Sequence, residues 1–295
     1  MSGHFTKIGL FAKHNNNSVI DTLEKLIRFL KKRGHSLTIE SQSAALIPNL
    51  PLPALERETL GKHCDLVIVI GGDGSLLNAA RAVVKDEVPI LGINRGRLGF
   101  LADILPRDME QTLTPILDGR YQEERRFLLQ ANVHRAQKIV FEATALNDVV
   151  LYSGYVARMI DFEVSIDNLF VLRQQADGII AATPTGSTAY ALSAGGPILY
   201  PTLNAIALSP LCPHTLSSRP LVIDNQSEIK WHFTEENSGD AKLSCDGQLH
   251  FDLKPGDQIA IQKYPIELTL IHPKDHQYFA VLREKLGWSM HQYKE

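Results

Sequence analysis

At 295 residues, with 44% hydrophobic and 21% charged side chains, the chain has the composition of a soluble globular protein and the length for two domains. A formal net charge of −3 and a pI near 6.4 exclude a chain-wide basic footprint for nucleic acid, so any anionic ligand must be met locally. The N-terminal run Met1–Lys7 lacks a signal-peptide pattern and no apolar run approaches the roughly 18 residues of a membrane span, so the chain is read as cytoplasmic with no membrane partner.

Ile8–Ala12 reads as a first strand. Ser18 can cap a helix whose apolar positions Val19, Leu23, Leu26, Ile27 and Leu30 share one face, with Lys31-Lys32-Arg33 in its last turn and a stop at Gly34. Leu37–Glu40 returns as strand, and Pro48, Pro51 and Pro53 mark an irregular connection. Leu66–Ile70 is a short β-branched run that stops at Gly71-Gly72-Asp73-Gly74, and Leu76, Leu77, Ala80, Val83 and Val84 then follow helical spacing. Pro89–Ile93 is another short strand, leading into Asn94-Arg95-Gly96-Arg97-Leu98-Gly99, where Arg95 and Arg97 could meet phosphate. Alternating strands and helices over residues 1–124 predict an α/β domain with a parallel, Rossmann-like sheet.

Beyond Arg125 the pattern changes. Phe127–Val133, Ile139–Ala145, Val149–Tyr152, Ile160–Ile166, Ile229–Phe233 and Ile259–Ile261 read as strands, giving a mostly β domain over 125–273. The charges of Glu123-Glu124-Arg125-Arg126 compensate one another and read as a solvated junction. Tyr278–Leu286 has helical spacing, so residues 274–295 are expected to complete the first domain. Cys64, Cys212 and Cys245 are odd in number and widely spaced, which predicts reduced, buried thiols rather than disulfides or a thiolate metal site.

Two stretches carry chemistry. Glycines in the Gly71–Gly74 loop let backbone amides approach a ligand, and the N-terminus of the following helix favours anions, so a diphosphate is the natural guest. A carboxylate among such amides repels that guest, and Asp73 therefore either caps the helix, a role contributing roughly 1 kcal/mol, or takes a proton from a hydroxyl that attacks a phosphoryl group. The loop alone leaves both open. The second stretch, Gln175 to Pro197, is dense in small and hydroxyl side chains after an apolar Ile179-Ile180-Ala181-Ala182 strand. Such a turn suits a flat ligand, with Tyr190 as a ring to stack on. His272 and His276 stand four apart, but Pro273 between them and the lack of a His-Glu-x-x-His pattern speak against a helical zinc site. Asp246, before Gly247, reads as a turn residue, with a second acid as the alternative.

Taken in order, Gly71-Gly72-Asp73-Gly74, Asn147-Asp148, and Asp177-Gly178 followed by Thr183-Pro184-Thr185-Gly186-Ser187-Thr188-Ala189-Tyr190 resemble the motif set of the NAD kinase family over nearly the full length. Asn94–Phe100 and His214–Pro220 are similar to segments of its Gram-negative bacterial members. The resemblance implies transfer of the ATP γ-phosphoryl group to the 2′-hydroxyl of the adenosine ribose of NAD, giving NADP, with a divalent metal ion (Mg2+ or Mn2+) and Asp73 as general base. It further implies phosphate contact at Gly72 and Gly74, ribose or adenine contact at Asn147 and Asp148, and nicotinamide-side contact at Asp177. Thr188, Ala189, Tyr190, Ala191, Leu192 and Ser193 would line the dinucleotide pocket. Arg158 and Gln248 would reach it from neighbouring chains of a homo-oligomer, a tetramer or dimer built by the β-rich domain. Asp148 is one methylene shorter than the Glu common in the family, and Gln175 stands where the family discriminates NAD from NADH.

Two other readings compete: a lipid or sugar kinase sharing the Gly-Gly-Asp-Gly loop, and a non-catalytic dinucleotide-binding regulator. A pure binding module gains nothing from a carboxylate facing phosphate, and no membrane-facing segment marks a lipid kinase. A dehydrogenase is set aside, because the loop is not Gly-x-Gly-x-x-Gly and no ribose-binding acid follows about 20 residues later.

Overall fold

The computed structural model describes residues 5–12, 17–95, 99–154, 158–237 and 240–288. The chain forms two compact units, Met1–Arg125 with Leu268–Glu295, and Arg126–Glu267. Among the described residues no helix is long and apolar enough to cross a membrane.

The first unit is built on a seven-stranded sheet. Its order is Ala54–Leu55, Ser36–Glu40, Lys7–Ala12, Leu66–Gly71, Ile90–Asn94, Leu268–Pro273, Tyr121–Arg126. Leu66–Gly71 is buried along its whole length and runs parallel to both neighbours, Lys7–Ala12 and Ile90–Asn94, as its continuous apolar run requires. The helix Asn17–Lys32 buries Val19, Leu23, Leu26, Ile27 and Leu30 in the core beneath the sheet, and ends in Lys31 and Lys32. The Ser18 side chain, proposed as its cap, and Arg97 lie outside what is described. The sequence places the return to this unit at residue 274. The chain re-enters it at Leu268, because Leu270 pairs in parallel with Ile90 and carries the strand Leu268–Pro273 into the first sheet.

The second unit is a sandwich of two six-stranded sheets, with every strand pair antiparallel. Trp231, Phe162 and Phe233 are fully buried between them with Leu151, Ile179 and Leu243. The alternating pattern of Ile229–Phe233, in which positions 229, 231 and 233 are buried, shows one face turned to that core. Two expectations need correction. Arg126 does not sit in a solvated junction: it is buried, and its guanidinium donates to Thr185 Oγ1 at 3.0 Å. All three cysteines are free, but only Cys245 is buried, while Cys212 is exposed and Cys64 half-buried.

Candidate functional site

Asp73 opens the helix Asp73–Val83 as its first residue, and Gly72 occupies the cap position with extended backbone and no side-chain cap bond. The capping role offered for Asp73 is therefore not the one it plays. Its carboxylate reaches to the returning loop instead. Oδ2 accepts from the Phe100 amide at 3.0 Å, and Oδ1 from the Leu101 and Ala102 amides at 3.1 and 3.3 Å. A carboxylate offers about four lone-pair positions, so among the described residues Oδ2 keeps one for a further donor. Gly99 exists for this seat, since a Cβ there would stand 2.2 Å from Asp73 Oδ1. Gly72 has the opposite character. Its φ is −97° and a Cβ would meet nothing within 4 Å, so neither backbone nor packing asks for glycine there. Arg95 is half-buried beside the same strand end, its amide donating to Gly71 O at 3.2 Å.

In the second unit a cavity of about 420 Å³ brings together four residues expected from the sequence, Asn147, Asp148, Ala189 and Tyr190. Val150, Tyr152, Ser244, Asp246 and Gly247 complete its lining. Tyr190 is half exposed at the start of a short helix, as a stacking ring must be to meet a ligand. The floor is rigid. Asp246 Oδ1 accepts from the Asn147 and Asp148 amides at 2.7 and 3.3 Å and Oδ2 from Leu146 at 3.1 Å, while Thr183 donates through its amide to Asn147 O at 2.9 Å. Asp246 and Gly247 both have positive φ, 54° and 62°, at the tip of the hairpin joining Ala241–Cys245 to Leu249–Leu253. Cys245 pairs with Leu249, so the connection is a three-residue one closed by the Gln248 amide on Cys245 O, and Asp246 is a turn residue and also a wall of the pocket. The Asp-Gly pair was its sequence signal, and the pocket contact had none.

The remaining expected residues lie outside that lining. Arg158 is exposed; Gln175 is exposed and donates through Nε2 to Asp161 Oδ2 at 3.3 Å; Asp177 is half-buried beside the Cys212 thiol. Thr188 bonds back to Thr185 O at 3.3 Å, and Gln248 closes the hairpin through its amide to Cys245 O at 3.1 Å. Ala191 packs into a small apolar cluster with Val150, Ile180 and Ala182; Leu192 is half-buried and Ser193 exposed. Gly72, Asp73 and Gly74 belong to the first unit.

Burial, with the Asp246 carboxylate close by, pushes the Asp148 carboxyl up from its ordinary range to about 7. Between about pH 4 and 7 the folded protein holds a proton that the unfolded chain has lost, so stability falls as pH rises through that window and levels off above it. Asp148→Asn should therefore be stabilised relative to the parent by more than about 1 kcal/mol on going from pH 5 to pH 8. Urea unfolding of both proteins at the two pH values checks this, and a difference that does not change with pH would refute it.

A further grouping lies in the first unit. Asp103, His272 and His276 present ligand-type atoms within 4.8 Å of one another. Both imidazoles spend Nδ1 on one oxygen, Asp103 Oδ2, at 2.9 and 2.7 Å, and the rings stack with centroids 4.1 Å apart. His272 is the next-to-last residue of the strand Leu268–Pro273 and His276 follows in the turn, so the histidines share no helix face.

Comparison with known proteins agrees across the chain. Residues 8–121 match the family model described as the ATP-NAD kinase N-terminal domain and residues 146–273 the ATP-NAD kinase C-terminal domain. An NAD kinase from Pseudomonas putida is 51% identical over 284 residues, covering 96% of each chain. One from Chromohalobacter salexigens is 51% identical over 285 residues, covering 97% of each. Yeast NADH kinase, solved with NADH, shares the fold at a TM-score of 0.89 with 24% identity over 98% of this chain and 89% of its own. An NAD kinase from Archaeoglobus fulgidus, solved with ATP, gives 0.76 with 26% identity over 96% of this chain and 99% of its own.

Proposed function

The chain belongs to the NAD kinase family and phosphorylates NAD with ATP, and from that premise we propose that Asp73 is the general base that frees the 2′-hydroxyl of the adenosine ribose for attack on the γ-phosphoryl group. The products are NADP and ADP. The observation that carries the assignment is the seat of Asp73. Three amides of another loop hold the carboxylate away from its own helix end, and Oδ2 keeps an acceptor position. Positioning and electrostatics supply most of the rate in phosphoryl transfer, so a fixed carboxylate within reach of the hydroxyl suffices. Gly72, with open space where a Cβ would point, supports a phosphate group lying against the backbone there.

The dinucleotide is held, in this reading, by the cavity of the second unit, with Asn147 and Asp148 on ribose or adenine and Tyr190 against a ring. An ionised Asp148 accepts from a ribose hydroxyl, and a protonated one does so less well. Thr188, Ala189, Ala191, Leu192 and Ser193 shape the neighbouring turn, and Asp177 takes the nicotinamide side. Gln175 would set the preference between NAD and NADH. A divalent ion, Mg2+ or Mn2+, would supply neutralisation of charge on the triphosphate. Three amides already hold the Asp73 carboxylate and its open Oδ2 position faces the hydroxyl in this reading, so the ion would arrive with the phosphates.

Cytoplasmic location and a homo-oligomer, dimer or tetramer, belong to the same proposal, with Arg158 and Gln248 serving a neighbouring chain's site. Its support is apolar surface on two sheet edges: Leu169, Phe170 and Val171 on one edge strand and Ile139 and Val140 on the other are exposed. Long apolar edges are covered in native proteins. Sedimentation velocity should show a species larger than the 32.8 kDa chain, and a fully active monomer would sink the shared-site reading.

Turnover is tested by NADP formation from NAD, ATP and magnesium, read through an NADP-specific dehydrogenase. Binding of NAD with no turnover would favour the regulator reading.

A further inference from the structure

The loop that seats Asp73 is held from several sides. Asn94 donates through Nδ2 to Ala102 O at 3.1 Å and through its amide to Ile104 O at 2.8 Å; the Gly99 amide closes on Ala102 O at 3.1 Å; the Ile104 amide reaches Gly92 O at 3.3 Å. Gly92 lets the loop lie close, since a Cβ there would stand 2.7 Å from Ala102 Cα. Each of these bonds ties the loop to itself or to the adjacent strand Ile90–Asn94. Asp103, the residue after the three amides that Asp73 grips, is tied elsewhere. Its Oδ2 takes Nδ1 of both His272 and His276, from the segment that returns to the first unit near the end of the chain.

We infer that Asp103, gripped by His272 and His276, is a positioning residue for Asp73: it fixes residues 100–102 so that their amides hold the Asp73 carboxylate in one orientation. The inference rests on the reading of Asp73 as base. The Asp103 side chain is 7% exposed and that of His272 1%, so the cluster is shielded from competing water. A buried carboxylate with two ring donors on one oxygen has little rotational freedom. Burial pushes the Asp103 carboxyl up, but the hydrogen bonds and charge interactions of both histidines together outweigh it and hold the group below its usual range. Asp103 thus stays an acceptor and does not lose its grip by protonation. On the far side of the His272 ring, Nε2 stands 3.5 Å from Glu124 Oε2, which backs the ring with a second carboxylate.

His276 is the place to test this, because at 9% exposure it is the less enclosed of the two rings. His276→Leu removes a donor to Asp103; His276→Asn keeps one, its amide nitrogen lying near the position of Nδ1. A displaced catalytic group costs rate rather than affinity, so His276→Leu should lower kcat about 10- to 100-fold with KM for NAD and ATP little changed. His276→Asn should restore most of it. Amide hydrogen exchange at Phe100, Leu101 and Ala102 should quicken in His276→Leu and return towards normal in His276→Asn. Unchanged exchange overturns the inference, and so does a fall in turnover that simply follows melting temperature or KM. Faster exchange with normal turnover also overturns it; Asp73→Asn measured alongside then tells the two claims apart, since an active Asp73→Asn condemns the base and an inactive one condemns only the positioning.

Discussion

Asp73→Asn should leave a folded protein that forms NADP about 100- to 10,000-fold more slowly, the range expected for a positioned general base. The isosteric amide keeps one oxygen, able to accept from Leu101 and Ala102, while the new NH2 replaces the oxygen that meets the Phe100 amide. Two donors then face each other, at a cost of roughly 1–3 kcal/mol, so the variant should melt earlier yet remain folded at working temperature. KM values for NAD and ATP near those of the parent would show that the loss lies in the transition state. A coupled assay with parallel circular dichroism reads both quantities. Asp73 would be purely a structural anchor if rate and stability fell together, with full turnover regained at low temperature where the variant is folded.

The second large effect is on stability. Gly186→Ala would put a Cβ 2.0 Å from Asn147 O and 2.4 Å from its carbonyl carbon. Those are backbone atoms, and they cannot step aside. Asn147 is pinned from one side by the Asp246 carboxylate and from another by the Thr183 amide, while Thr183 Oγ1 donates to Leu146 O at 2.5 Å and accepts from the Gly186 amide at 3.1 Å. Overpacking a site that cannot relax costs about 3 kcal/mol or more, which for a chain of this size lowers the melting temperature by roughly 5 °C. Because the displaced residue lines the cavity, NAD affinity should fall with it. Gly72→Ala is the control, for its added methyl meets no protein atom within 4 Å, and its melting temperature should stay near that of the parent. A Gly186→Ala protein that melts with the parent would mean the 183–188 turn is far more pliant than its bonds imply.

Much of this was legible in the residues. Leu66–Ile70, Ile160–Ile166, Ile229–Phe233 and Tyr278–Leu286 carry strong local patterns, and each is found within a residue of its reading. Strands without such a pattern escaped. Tyr121–Arg126 is five charged or polar residues and a tyrosine, held by neighbours in the sheet rather than by propensity, and Leu268–Pro273 pairs with a strand about 180 residues earlier. The same limit applies at the site. Asn147, Asp148 and Tyr190 stand out in the sequence because their motifs are dense. Asp246 and Asp103 act through partners about 100 and 170 residues away, and only folding brings those together.

The position of Leu268–Pro273 has a consequence for how the chain is made. That strand lies between Ile90–Asn94 and Tyr121–Arg126 in the first sheet, so the sheet cannot close when residue 126 leaves the ribosome. Residues 126–267, a contiguous sandwich, can fold as soon as they emerge, while the half-built α/β sheet ahead of them waits with two strand edges unpaired. Synthesis therefore finishes the second unit first, and Asp103 receives its histidine partners only once residue 276 has been made.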